Sequence, residues 1–196
     1  MKKLSDGKIM LEKVRLSFPE LFTPKSFGDD GANPKYSANF LMDKDEHKDE
    51  IAGIMAAIKE AIAGKWKTKP KDLKLCFSDG EEKSYDGYQN AWFLSANNKR
   101  RPVVIDKDKS PLVAEDEKIY AGCYVNAIVS FWCMDNKWGK RVLCNLEAVQ
   151  FAADGEAFGG SSVDVNNTFD DISEETSADV KEDLDDRSEE HTSELQ

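Results

Sequence analysis

One run of alternation, Tyr120–Cys133, constrains the fold of this chain more than any other feature. Its odd positions, Ala121, Cys123, Val125, Ala127, Val129, Phe131 and Cys133, are apolar and mostly small. Its even positions, Tyr120, Gly122, Tyr124, Asn126, Ile128, Ser130 and Trp132, mix aromatics with polar residues. A period of two sustained this long predicts an extended strand with one buried face. Asp135–Lys140 supplies a hairpin turn. Arg141–Phe151 then returns, with Val142, Cys144, Leu146 and Ala148 expected inside and Arg141, Asn145 and Glu147 outside. A lone hairpin cannot bury its apolar face, so other strands must cover this one.

Those strands are legible elsewhere. Residues 8–18 read as a strand with one irregular point, ended by Pro19 and Pro24. In the next, Tyr36, Ala38, Phe40 and Met42 alternate with Lys35, Ser37, Asn39 and Leu41. A helix is expected over 44–63, capped by Asp43 with Glu46 three residues on, and stopped by Gly64. Ile51, Ile54, Met55, Ile58 and Ile62 form its buried stripe. Asn90–Asn97 and Val103–Ile105 complete the strands. At least five strands around one helix imply an antiparallel sheet. Strand length and the mid-strand Gly122 favour a small closed barrel; an open α+β sheet is the alternative from pattern alone.

Charge divides the chain. Residues 161–196 hold 13 acids and two bases, a net −11, which is the charge of the whole chain; residues 1–160 hold 25 of each. The neutral body is thus free to carry a local basic surface. Residues 161–186 hold ten carboxylates and one lysine without apolar periodicity and are expected to be a disordered acidic tail. A tethered polyanion can compete with nucleic acid for a basic groove, or bind basic patches on partner proteins. The last ten residues, Arg187–Gln196, read as the translation of a sequencing-library adapter and are expected to be non-native.

Several function classes lose support. No apolar run approaches the roughly 20 residues of a membrane span. The first residues lack the apolar stretch of a signal peptide, so a cytoplasmic protein is expected. Cys76, Cys123, Cys133 and Cys144 form no C-x-x-C pair, and His47 is the sole histidine before the last ten residues. That argues for reduced thiols and against zinc. Neither a nucleophile elbow nor a phosphate loop is present, and His47 sits among Asp45, Glu46 and Asp49 as a solvated residue would. A non-catalytic protein with no metal or cofactor is expected. A metal-dependent nuclease remains a minor alternative, because the carboxylates could in principle hold magnesium.

The aromatics point to a ligand. Trp66 lies between Lys65 and Lys67; Trp92 precedes Lys99-Arg100-Arg101 by one strand length; Trp138 lies between Lys137 and Lys140-Arg141. Trp132 and Tyr124 stand on the mixed face of the long strand. Rings that stack bases, beside cations that hold phosphates, suit single-stranded nucleic acid. Trp132, Tyr124, Trp92 and Trp138 are the expected stackers. Lys99, Arg100, Arg101, Lys140 and Arg141 are the expected phosphate contacts, with Lys65, Trp66 and Lys67 as a further group. Aromatic platforms accept both sugars, so RNA stays open as an alternative.

Five stretches carry a family resemblance: Val14–Phe22, Lys35–Phe40, Asn97–Pro102, Tyr120–Val125 and Phe158–Gly160. In this order and spacing the chain resembles phage-encoded single-stranded DNA-binding proteins with an OB fold, a family long classed as a domain of unknown function. The resemblance implies a cytoplasmic protein of phage replication or recombination with an acidic C-terminal tail. Phage or host replication and recombination proteins would be its tail partners, and no membrane is involved. The expected organisation is a mainly β, OB-fold-like antiparallel barrel domain over 1–160, with its inserted helix. An acidic tail over 161–186 and the adapter-like end at 187–196 complete it.

Overall fold

The computed structural model describes residues 1–26, 33–137 and 139–159. Its strands are β1 (Lys2–Lys3), β2 (Lys8–Lys25), β3 (Lys35–Asp43), β4 (Phe77–Asp79), β5 (Ala91–Asn98), β6 (Val103–Ile105), β7 (Tyr124–Asn136) and β8 (Gly139–Ala153). The helix α1 (Lys48–Lys65) lies between β3 and β4. Five strands close into a barrel in the order β5-β3-β2-β7-β8, and β8 returns to β5. The closing pair is parallel, Asn97 against Asn145, whereas the other four contacts are antiparallel. Beside this seam, β4 flanks β5, and β6 runs parallel to β8. The expected barrel with one inserted helix is therefore present. The expected tail and the adapter-like end lie outside the described residues.

The core is built by alternation. Ala38, Phe40 and Met42 of β3 face inward with Leu94 and Ala96 of β5, Val125, Ala127 and Val129 of β7, and Val142, Cys144 and Leu146 of β8. Burying each large apolar side chain contributes about 1.5–3 kcal/mol. The helix adds Ile54, Ile58 and Ile62, with Ile51 and Met55 partly covered against the barrel.

Four local expectations are corrected. First, β2 does not end at Pro19 but runs to Lys25. Its register shifts between Ser17 and Glu20 and again between Glu20 and Lys25. Pro19 and Pro24 fall inside these shifts, where the ladder asks for no N–H. Positive φ at Lys13 (51°) and Phe18 (47°) marks the bends. Second, α1 starts at Lys48 and passes Gly64 to Lys65. The Asp43 carboxylate instead accepts from the N–H groups of Glu46 (3.0 Å) and Asp45 (2.7 Å), closing a separate turn. Those two donors hold its pKa below the usual carboxylate value. Third, β7 begins at Tyr124, because Gly122 turns at φ 108° to let Glu156 and Ala157 cross it. Fourth, a register shift at Ile128/Val129 moves the inward positions of β8 by one, so Val149 is buried where Ala148 was expected. The strand itself also runs from Gly139 to Ala153, longer at both ends than the pattern suggested.

Candidate nucleic-acid interface

The second and third strands of the barrel, β3 and β5, pair without interruption from Tyr36↔Asn98 to Asp43↔Ala91. Their even residues fill the core, so Ser37, Asn39, Phe93, Ser95 and Asn97 face outward. Here a groove of about 670 Å³ opens, walled by Phe18, Tyr85 and Tyr88 and flanked by Lys35 and Lys83. Tyr88 is 1% exposed. Its hydroxyl accepts from Asn39 Nδ2 (2.8 Å) and donates to Ser17 Oγ (3.4 Å), while Ser95 Oγ donates to Asn39 Oδ1 (2.7 Å). This network fixes the ring beneath two others. Tyr85 meets Tyr88 at 5.5 Å and Phe18 at 5.1 Å, the latter edge to face, and Phe93 lies 5.3 Å from Tyr88.

Phe18 and Tyr85 nevertheless remain 50% and 51% exposed. Leaving two large rings half in water forgoes burial energy. The positive φ at Phe18 is what swings its side chain out of the β2 alternation. Open rings above a floor of hydroxyls and amides, with lysines at the margin, suit unpaired bases and their phosphates. The face of strands two and three is also where OB barrels take oligonucleotides and oligosaccharides.

The residues expected from sequence fall in several places. Lys99, Arg100 and Arg101 are exposed and follow Asn97 of the groove after one residue, Asn98. Asn98 fixes their turn, donating to Leu146 O (3.0 Å) and accepting from Arg100 N (3.0 Å). The Arg101 guanidinium lies 5.7 Å from the Phe22 ring. Trp132 points outward and is 42% exposed. Its Nε1 donates to Asn145 Oδ1 (3.0 Å), and Asn145 pairs with Asn97 of the groove across the closing seam. Trp132 is thus joined to the groove by one outer surface.

Tyr124 occupies the same face of β7 but eight residues away, roughly 26 Å along the strand. There it meets Arg15 and Lys13, each 5.9 Å from its ring centre. Trp92 is corrected: it shares the inward side of β5 with Leu94 and stacks on Phe77 at 4.9 Å, so it packs the barrel. Trp66 also packs against the core, and its Nε1 donates to Asp135 Oδ2 (3.2 Å). The same carboxylate lies 3.6 Å from Lys140 Nζ. Backbone bonds from Lys74 N to Lys140 O and from Val142 N to Lys74 O bring the basic segment after α1 against β8. Lys65, Lys67 and Lys74 are exposed, Lys140 and Arg141 half-buried. Trp138 lies outside the described residues.

Phe18, Tyr85, Tyr88 and Phe93 were not among the expected site residues. A signal for two of them existed: Tyr85-Asp86-Gly87-Tyr88 places two tyrosines in a polar, glycine-containing loop. Elsewhere, Cys123 and Cys144 are buried and Cys76 and Cys133 half-buried, all as free thiols. Burial pushes the Cys76 thiol up to about 12 and raises the other three. His47 sits at the N-terminus of α1 with Nε2 3.3 Å from Lys13 O. Among the described residues no three His, Cys, Asp or Glu are placed to hold a metal, and no helix is long and apolar enough to cross a membrane.

A closed five-stranded barrel with an open aromatic groove on its second and third strands defines an OB-fold protein. The chain belongs to the family of the Enterobacter phage Enc34 ssDNA-binding protein, whose profile matches residues 7–183. It is 47% identical over 176 residues to protein p50 of Acyrthosiphon pisum secondary endosymbiont phage 1, covering 85% of this chain and 94% of that one. The bacteriophage Enc34 protein in complex with ssDNA superposes with a TM-score of 0.71 at 31% identity, over 81% of this chain and 97% of that one. The bacteriophage T7 protein gp2.5, at 15% identity and a TM-score of 0.53 over 84% and 96%, shares the fold. The resemblance seen in the sequence is thereby borne out.

Proposed function

We propose that the barrel, residues 1–160, binds single-stranded DNA without strong sequence preference and without catalysis. The observation that carries this is the groove, where Phe18 and Tyr85 stand half-exposed over a fixed Tyr88. Bases stack on the open rings. Lys35, Lys83 and the Lys99–Arg101 cluster hold the phosphates. The strand continues over Asn97 and Asn145 to Trp132, with Lys140, Arg141, Lys65 and Lys67 beyond. Each stacked base contributes about 1–3 kcal/mol. The related Enc34 protein, which has been solved with ssDNA, supports this assignment. In a phage-infected cell the role is strand protection during DNA replication or recombination, in the host cytoplasm.

The test is a gel shift with single-stranded DNA, duplex DNA and RNA at two salt concentrations, with and without magnesium. Single strands should be retained at full length and duplex only weakly. Loss of full-length strand with magnesium supports a nuclease instead, and equal retention of RNA widens the ligand class.

Residues 161–186 act as a tethered competitor for the basic margin and as a docking segment for phage or host replication proteins. Residues 187–196 take no part. The ten carboxylates follow the barrel domain directly in sequence, so their effective concentration at the groove reaches roughly the millimolar range. Truncation after Gly160 should tighten single-strand binding, most at low salt. It should also confer weak duplex binding. Equal affinity of the two forms at low salt leaves the tail only partner binding or solubility.

A further inference from the structure

We infer, taking the groove as the strand-binding site, that Phe158 is a positioning residue that latches the aromatic loop Tyr85–Tyr88 to the barrel's C-terminal segment. After β8, residues 154–159 cross the barrel end. Gly155 N donates to Tyr120 Oη (3.0 Å), and Phe158 N donates to Ala121 O (2.9 Å). The Phe158 ring lies 4.3 Å from the Arg15 guanidinium carbon. Arg15 is itself held, donating from Nη2 to Glu156 O (2.7 Å) and from Nε to Gly122 O (3.2 Å). The ring also lies against Gly87, at φ 79°, where any Cβ would overlap it. The next residue joins the same loop, Gly159 N donating to Asp86 Oδ2 (3.1 Å).

Asp86 and Gly87 lie between Tyr85 and Tyr88, the rings that wall the groove. Tyr88 has its own anchors in Asn39 and Ser17. Tyr85 has an exposed ring against Phe18 and Tyr88, and its carbonyl accepts from Tyr88 N (3.3 Å) and Gln89 Nε2 (3.3 Å), bonds internal to the loop, so a hold that ties the loop to the barrel must come from elsewhere. The Phe158 ring and the Gly159 amide supply one. An aromatic ring seated between a cation and a glycine surface gains from both contacts.

The test compares the full chain with Phe158→Ala, and with Asp86→Ala, which removes the acceptor of the Gly159 amide from the loop side. Both should keep the cooperative thermal unfolding of the barrel. Both should speed amide hydrogen exchange over residues 85–88 by about tenfold or more, while β2 and β7 core amides stay unchanged. Single-strand affinity should fall about tenfold, the size of one lost stacked base. Combined with Tyr85→Ala, Phe158→Ala should cost nothing further; combined with Arg100→Ala and Arg101→Ala it should cost the full tenfold again. Unchanged exchange over 85–88, or the same loss in the Tyr85→Ala background, overturns the latch. If the unaltered chain fails to bind single strands, the functional proposal falls, and the exchange measurement still decides whether Phe158 holds the loop.

Discussion

In the groove on β3 and β5, a buried tyrosine hydrogen-bonded on both sides supports two half-exposed rings. At the β7–β8 hairpin, Trp132 stands on an open strand face, its indole N–H already spent on Asn145, and cations gather toward the turn. The first region is aromatic and sparse in charge; the second is charged, with Asp135 in polar contact with both Lys140 and Trp66. The contrast teaches a division of labour. Stacking needs a ring held at a set height and angle, so it belongs where packing immobilises the ring. Phosphate attraction acts over several ångströms through water and tolerates mobile side chains.

That division can be broken or sharpened by mutation. The largest loss should follow removal of both open rings. Phe18→Ala with Tyr85→Ala should weaken single-strand binding by about 2–4 kcal/mol, less than additive because the rings touch each other. Fluorescence anisotropy of a labelled oligonucleotide measures this, and retained affinity in a folded double variant would move the stacking site elsewhere.

Trp132→Ala should cost about 1–3 kcal/mol, the range for one stacked base. Affinity that holds while the melting temperature drops makes Trp132 a packing residue and confines stacking to the groove. Arg100→Ala with Arg101→Ala should produce a smaller loss, equal for all sequences. Each lost phosphate contact removes about 0.7 from the log–log salt slope, so titrations at several salt concentrations should show a decrease of about 1.4. A slope that does not move means that these arginines do not touch phosphate. The smallest effect should come from Tyr88→Phe. It deletes the hydroxyl that joins Asn39 to Ser17 and should lower stability by about 1 kcal/mol in thermal unfolding. Binding should change little, because the ring itself stays in place.

The sequence by itself determined the elements with a regular period. Alternation in β3, β7 and the first part of β8 marks the inward face, because successive side chains in a strand must point to opposite sides. The isoleucine stripe of α1 is legible for the equivalent helical reason. Outward cations such as Lys99–Arg101 were equally readable, since a charged run next to a strand end has nowhere to go but solvent.

Tertiary structure decided everything that departs from period. The bends of β2 at Lys13 and Phe18 and the register shift in β8 insert residues that alternation counts wrongly. One of those bends is what exposes Phe18. Whether a tryptophan stacks a base or fills the core depended on partners far along the chain: Trp92 found Phe77, Trp66 found Asp135, and Trp132 stayed on the outer face with its edge on Asn145. The groove was the least legible feature because its walls come from β2, β5 and the loop at Tyr85–Tyr88. Barrel closure brings those segments together, whereas sequence periodicity reports on a single segment at a time.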